Sequence, residues 1–146
     1  MMQKGRHNAF SAVDYGGRPL IVPLDRFTKA NPYFRTALWT GKHFQLTLMS
    51  IPVGGDIGLE VHPDVDQFLS IQDECAVVRM GRSQNALTYQ QKVTSGFAVL
   101  VPAGTWHNII NTGNAPLKLY SIYAPPQHPF GTVHKTKADA EKAEQQ

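Results

Sequence analysis

With 146 residues, 42% of them hydrophobic and 17% charged, the chain has the composition of an ordinary globular protein and the length of one domain with a sizeable core. A single cysteine excludes an internal disulfide and a thiolate metal cluster, and a net charge of +3, scattered without a dense basic cluster, argues against a nucleic-acid partner. No apolar run approaches the roughly 18–20 residues that cross a bilayer. The basic opening MMQKGRHNAF is followed by no apolar stretch or small-residue cleavage site, so no signal peptide is expected and the cytoplasm is the default location.

In chain order, residues 1–40 read as an irregular arm of the same domain, with a short helix or strand around FRTALW. Apolar Phe27, Phe34, Leu38 and Trp39 in this arm can pack on the rest of the chain or meet a second copy. From 41 to 125 the pattern is short apolar stretches punctuated by Gly, Pro and Asn. Strands are expected at 43–51, 57–62, 67–71, 76–80, 87–93, 97–102, 106–110 and 117–123, separated by turn compositions such as PVGGD, MGRSQN and NTGNAP. Strands this short and numerous, with no long helical pattern between them, predict an all-β antiparallel sandwich or barrel. Cys75, in ECAVVRM, is expected to be a small buried hydrophobe. Trp39, Trp106, Tyr89, Tyr120 and Tyr123 are expected in the core or at an interface. Residues 126–146 form a C-terminal loop and then a short helix, TKADAEKAEQQ, with Thr136 as its N-cap.

Several polar residues invite a functional reading. In LEVHPDVDQF, residues 59–68, strand alternation points Glu60 and His62 to one side and Leu59 and Val61 to the other. A bend at PDVD lets Gln67 face back beside them, and GFAVLVPAGTWHNIIN delivers His107 just after a Pro–Gly turn. An acid, two imidazoles and an amide suit a divalent ion such as Mn, Fe, Ni, Co or Zn. His128 and His134, six residues apart in a Pro/Gly loop, have no ligand periodicity and are expected on a surface loop that can cover the barrel mouth. Arg35 is expected in a surface salt bridge, with contact to an anionic substrate group as the alternative, while His7 and His43 have no visible partners.

Residues 96–111 resemble the second motif of the cupin superfamily, G-x5-P-x-G-x2-H-x3-N, at every fixed position: Gly96, Pro102, Gly104, His107 and Asn111. The first cupin motif, G-x5-H-x-H-x3-4-E-x6-G, is similar to residues 54–74. Gly54 and His62 match, while Glu60 stands at the first histidine, Gln67 at the glutamate and Glu74 at the last glycine. The resemblance implies a small jelly-roll barrel, or double-stranded β-helix, with one divalent metal (Zn, Mn, Fe or Ni) held by Glu60, His62, Gln67 and His107. Two His, one Glu and one Gln are also the ligand set of type I phosphomannose isomerases, themselves cupins, with Glu and Gln in the other order. Asp66 fits the shorter spacing but lies on the opposite face from Gln67, which shares its side with Leu69 and Ile71. Pro102, Gly104 and Asn111 are expected to shape the turns around His107.

The function this implies is a metal-dependent enzyme of the sugar- or carbonyl-isomerase type acting on a small polar molecule. An Fe- or Ni-dependent dioxygenase and a non-catalytic binding protein are the alternatives. No general base is evident among the residues, and small cupins commonly pair, so a homodimer is expected.

Overall fold

The structure, a computed structural model, describes residues 9–144. Nine strands form two facing antiparallel sheets: β1 (Arg35–Thr40), β2 (Gln45–Ile51), β3 (Asp66–Asp73), β4 (Ala76–Gly81), β5 (Tyr89–Val93), β6 (Ala98–Val101), β7 (Trp106–Asn111), β8 (Leu117–Ala124) and β9 (Val133–His134). Among the described residues two helices, α1 (Leu24–Ala30) and α2 (Lys137–Glu144), flank them. The larger sheet runs β6-β3-β8-β2-β1-β9 and the smaller β5-β4-β7, a jelly-roll arrangement of two sheets without a continuous closed ladder.

Period-two burial explains these strands, most plainly in β8, where Leu117, Leu119, Ser121 and Tyr123 are buried and the residues between them are not. Cross-strand register then sorts the inner face by polarity. At one end Ile51 pairs with Leu117 and Met49 with Leu119; further along, Thr47 pairs with Ser121 and Gln45 with Tyr123. β3 repeats the gradient, with Ile71 opposite Leu119, Leu69 opposite Ser121 and Gln67 opposite Tyr123. One end of the interior is therefore apolar, joined to Ile57, Val78 and Ile109, and the other carries buried amides and hydroxyls.

The outer face of the large sheet is covered by the N-terminal segment. Phe27 of α1, Leu38 and Leu48 are fully buried there, with Phe10, Val22, Leu24, Leu46 and Tyr120 packed around them. Phe34 joins the main core, so three of the four apolar residues of the arm are used within the chain. Complete burial of such side chains stabilises the packing by about 1.5–3 kcal/mol each.

Three expectations are corrected. Residues 57–62 do not form a strand: two isolated bridges, Asp56 with Ile110 and Glu60 with His107, are separated by Gly58 at φ +95°, which breaks the extended run. Cys75 is exposed, because Glu74 turns the chain sharply before β4 begins. Glu74 has φ +80°, the left-handed conformation that costs a non-glycine residue about 1–2 kcal/mol, and it stands where the family motif has glycine. α1 and β9 were not anticipated, although β1 falls on FRTALW. The C-terminal helix starts as expected, with Thr136 Oγ1 accepting from Asp139 N–H and Asp139 Oδ2 accepting from Thr136 N–H. Its expected last two residues, and His7, lie outside the described residues, and His43 is exposed.

Asn111 closes the turn after β7 from a buried position. Its amide nitrogen donates to Ile51 O and Ala115 O, and its carbonyl oxygen accepts from Gly113 N–H. Truncation leaves buried carbonyls without a donor. Asn111→Ala is expected to lose about 2–3 kcal/mol of stability, read as a lower urea midpoint at unchanged slope.

Candidate metal centre

Glu60, His62 and His107 meet at the polar end of the interior. Backbone pairing sets their register: Glu60 N–H donates to His107 O and His107 N–H to Glu60 O. Gly104, at φ +82°, then donates its N–H to His62 O, which ties the turn before β7 to the segment carrying His62. Ligating atoms of the three side chains all lie within 4.8 Å of one another. Glu60 Oε1 is 3.3 Å from His62 Nε2 and 3.6 Å from His107 Nε2. Alternation placed Glu60 and His62 together even without a strand, because the chain between them is extended and Leu59 turns outward to 40% exposure.

Gln67 is buried on the inner face of β3, while Asp66 is exposed and its carboxylate accepts from Ala103 N–H. The Gln67 amide nitrogen donates to Ser121 Oγ at 2.8 Å, which leaves its Oε1 buried without a partner.

Hydrogen bonding shows how these donors fit a cation. His107 Nδ1 lies 2.9 Å from Thr105 O, and a carbonyl only accepts, so Nδ1 carries the proton and Nε2 presents its lone pair. That lone pair has no hydrogen-bond partner and faces the Glu60 carboxylate. A carbonyl oxygen behind the ring in this way fixes tautomer and orientation in metal-binding histidines. Burial alone would raise the Glu60 carboxyl, but the two imidazoles against it and the Arg35 charge outweigh burial and hold the group ionised well below the usual carboxylate range. One carboxylate and two imidazoles form a candidate donor set for a single divalent ion.

The opposite wall was not foreseen. Arg35 is not in a surface salt bridge: it is 2% exposed, on the inner face of β1, and its Nη1 donates to His134 Nδ1 at 3.1 Å. β9 puts His134 there by pairing directly with Arg35. His128 does not sit on a free surface loop either. Gln45 holds its backbone from within, its amide oxygen accepting from His128 N–H and its amide nitrogen donating to His128 O. Asp14 fixes the same loop at Gly131 N–H while binding Thr40 and Gly16. The fully buried Tyr123 ring stands edge-on to both His62, at 5.8 Å, and His128, at 5.1 Å, and so joins the two walls. Its sequence signal was alternation: Ser121 and Tyr123 share a face with Leu117 and Leu119. Arg35 and His134 had no comparable signal, since their partners lie 99 residues apart.

A cleft of about 310 Å³ between the 56–60 segment, β1 and α2 reaches Arg35 and Glu60. The ion pair of Lys137 with Asp56 fastens α2 along it, and Asn108 bonds Asp56 from the other side.

Desolvation, helped by the Arg35 charge and opposed by Glu60, pushes the His128 imidazole down to about 3 from its ordinary 6.5. The unfolded chain therefore takes up a proton on His128 below about pH 6.5, where the folded protein does not. Stability from this source is complete above that pH and declines as pH falls toward 3. Denaturant titrations of the metal-free protein are expected to show wild type losing about 2–3 kcal/mol relative to His128→Gln between pH 7 and pH 4.5.

The fold is shared with known proteins. The family model described as Cupin domain matches residues 47–123, the span from β2 to β8 that carries most of the inner face. YrkC of Bacillus subtilis (strain 168), an uncharacterized protein, is 65% identical over 131 residues, covering 90% of this chain and 70% of YrkC. The uncharacterized protein L612 of Acanthamoeba polyphaga mimivirus is 40% identical over 114 residues, or 77% of this chain and 69% of L612. The crystal structure of BH2720 from Bacillus halodurans superposes with a TM-score of 0.88 at 59% identity, covering 89% of this chain and 98% of BH2720. With the facing sheets and the Glu60, His62 and His107 cluster, these matches establish that the chain belongs to the cupin family.

Proposed function

We propose that this protein is a metal-dependent enzyme that moves a proton beside the carbonyl of a small oxygenated molecule, as an isomerase does. Glu60, His62, Gln67 and His107 hold one divalent ion in this reading. The observation that carries it is His128: its Nε2 is buried and without a partner, and it lies across the Tyr123 ring from His62. Bound at the four donors, the ion supplies a Lewis acid for a carbonyl oxygen.

The remaining work falls to the chain's own side chains. His128 is unprotonated at neutral pH, the state a proton acceptor starts from. Burial with the Arg35 charge lowers its basicity, so proton transfer to it relies on the ion to acidify the carbon next to the carbonyl. Tyr123 is kept as a neutral phenol by burial and limits how the two neighbouring imidazoles can turn. Gln45 fixes the backbone of His128, so the imidazole needs little reorganisation to act.

Metal content and proton exchange test the two halves separately. Protein purified without chelator and supplied with zinc or manganese is expected to hold one ion per chain, and Glu60→Ala to lose it. His128→Gln is expected to keep the ion while solvent-deuterium exchange into dihydroxyacetone, followed by NMR, slows by about 100-fold or more. A wild-type protein that takes up no ion, or a Glu60→Ala variant that retains it, overturns the metal reading. Oxygen consumption by iron-loaded protein with no deuterium exchange replaces the isomerase with a dioxygenase.

A further inference from the structure

Arg35 is a buried charge with no carboxylate paired to it. Its side chain is nine-tenths or more buried, its guanidinium bonds the neutral acceptor nitrogen of His134 and the Tyr123 side chain, and its Nε has no hydrogen-bond partner. Among the described residues, no carboxylate lies within 4.0 Å of the guanidinium, and its other close contact is the Phe34 ring at 5.3 Å. A buried cation left in this state is strongly destabilising, whereas an oxyanion on its Nε edge removes most of that cost.

Thr47 repeats the pattern on the neighbouring strand. It is fully buried on the inner face, pairs with Ala37 two residues from Arg35, and its Oγ1 has no partner. Among the described residues only five buried side-chain polar atoms are unpartnered. Two of them, on Gln67 and His107, belong to the proposed metal donors; the other three are on Arg35, Thr47 and His128. The first pair are lone-pair atoms that suit a cation, while a guanidinium N–H and a hydroxyl can both donate to an anion.

We infer that Arg35 and Thr47 form a seat for the carboxylate of the substrate, so that this site takes small carboxylic acids bearing a keto or hydroxy oxygen next to the carboxylate. The assignment rests on the metal reading only for where that second oxygen goes. The cleft that reaches both Arg35 and Glu60 is polar, lined also by Asp56, Asn108, Lys137 and Glu141.

The test compares pyruvate with pyruvamide, which has nearly the same shape and no charge, by calorimetry on zinc-loaded and chelator-treated protein. Wild type is expected to bind pyruvate about tenfold or more tightly than pyruvamide. The preference is expected to persist, at lower affinity, after the metal is removed. Arg35→Met is expected to abolish the preference at unchanged zinc content. Thr47→Val removes a buried hydroxyl that has no partner, so it is expected to leave the melting temperature unchanged or raised while weakening pyruvate several-fold. This variant decides the matter if Arg35→Met does not fold. Equal affinity of wild type for both compounds overturns the inference, as does a preference that survives Arg35→Met or pyruvate binding unaffected by Thr47→Val. A protein that takes up no metal yet keeps the preference for pyruvate refutes the metal centre and upholds the carboxylate seat.

Discussion

The interior between the two sheets changes polarity along its length, and the rest of the structure follows from that gradient. On β2, β3 and β8 the same alternation that buries Ile51, Ile71 and Leu117 also buries Gln45, Gln67, Thr47, Ser121 and Tyr123 a few residues away. Inward-facing polar groups are costly unless each finds a partner, so the polar end is stable only as a connected network. Gln45 is completely satisfied by Thr40, Gln127 and His128, and Gln67 donates to Ser121. Where satisfaction stops, the atoms left over are those facing the space between the two walls.

Two long-range ties determine the shape of that space. Asp14 connects the N-terminal segment to β1 and to the loop before β9, and Lys137 with Asp56 connects α2 to the segment leading into Glu60. Residues from opposite ends of the chain therefore enclose a site whose candidate metal donors come from its middle. The N-terminal segment also packs α1 on the outer face of the large sheet, so the same stretch of chain stiffens the sheet from behind and fixes the loop in front. Positioning of this kind, by packed elements and satisfied amides, lets a small domain hold several charged and titratable groups in fixed relation.

Local sequence reading succeeded where local geometry decides the outcome. Glu60 and His62 share a face whether or not their segment is a strand, since an extended chain alternates in either case. Seven of the eight expected strands are present for the same reason, and the motif spacing around Gly104 located His107 because a left-handed glycine turn can be read from composition. Arg35, His128 and His134 were misjudged because a Pro/Gly-rich loop indicates that the chain turns but not what it folds back upon. Their burial depends on β9 pairing with β1 and on Gln45 capturing the loop backbone, contacts that span 83 to 99 residues. Cys75 failed differently. Its apolar neighbours suggested burial, but the left-handed Glu74 rotated it out of the strand pattern.

That outward rotation has a practical use. Cys75 is the chain's one thiol, it is exposed, and it follows the end of β3 away from Gln67, roughly 20 Å along the strand direction. A nitroxide or fluorophore attached there needs no engineered cysteine and touches none of the groups around Glu60. The wild-type protein thus carries its own attachment point for a spectroscopic ruler, from which the distance to a paramagnetic ion at the far end of the interior can be read directly.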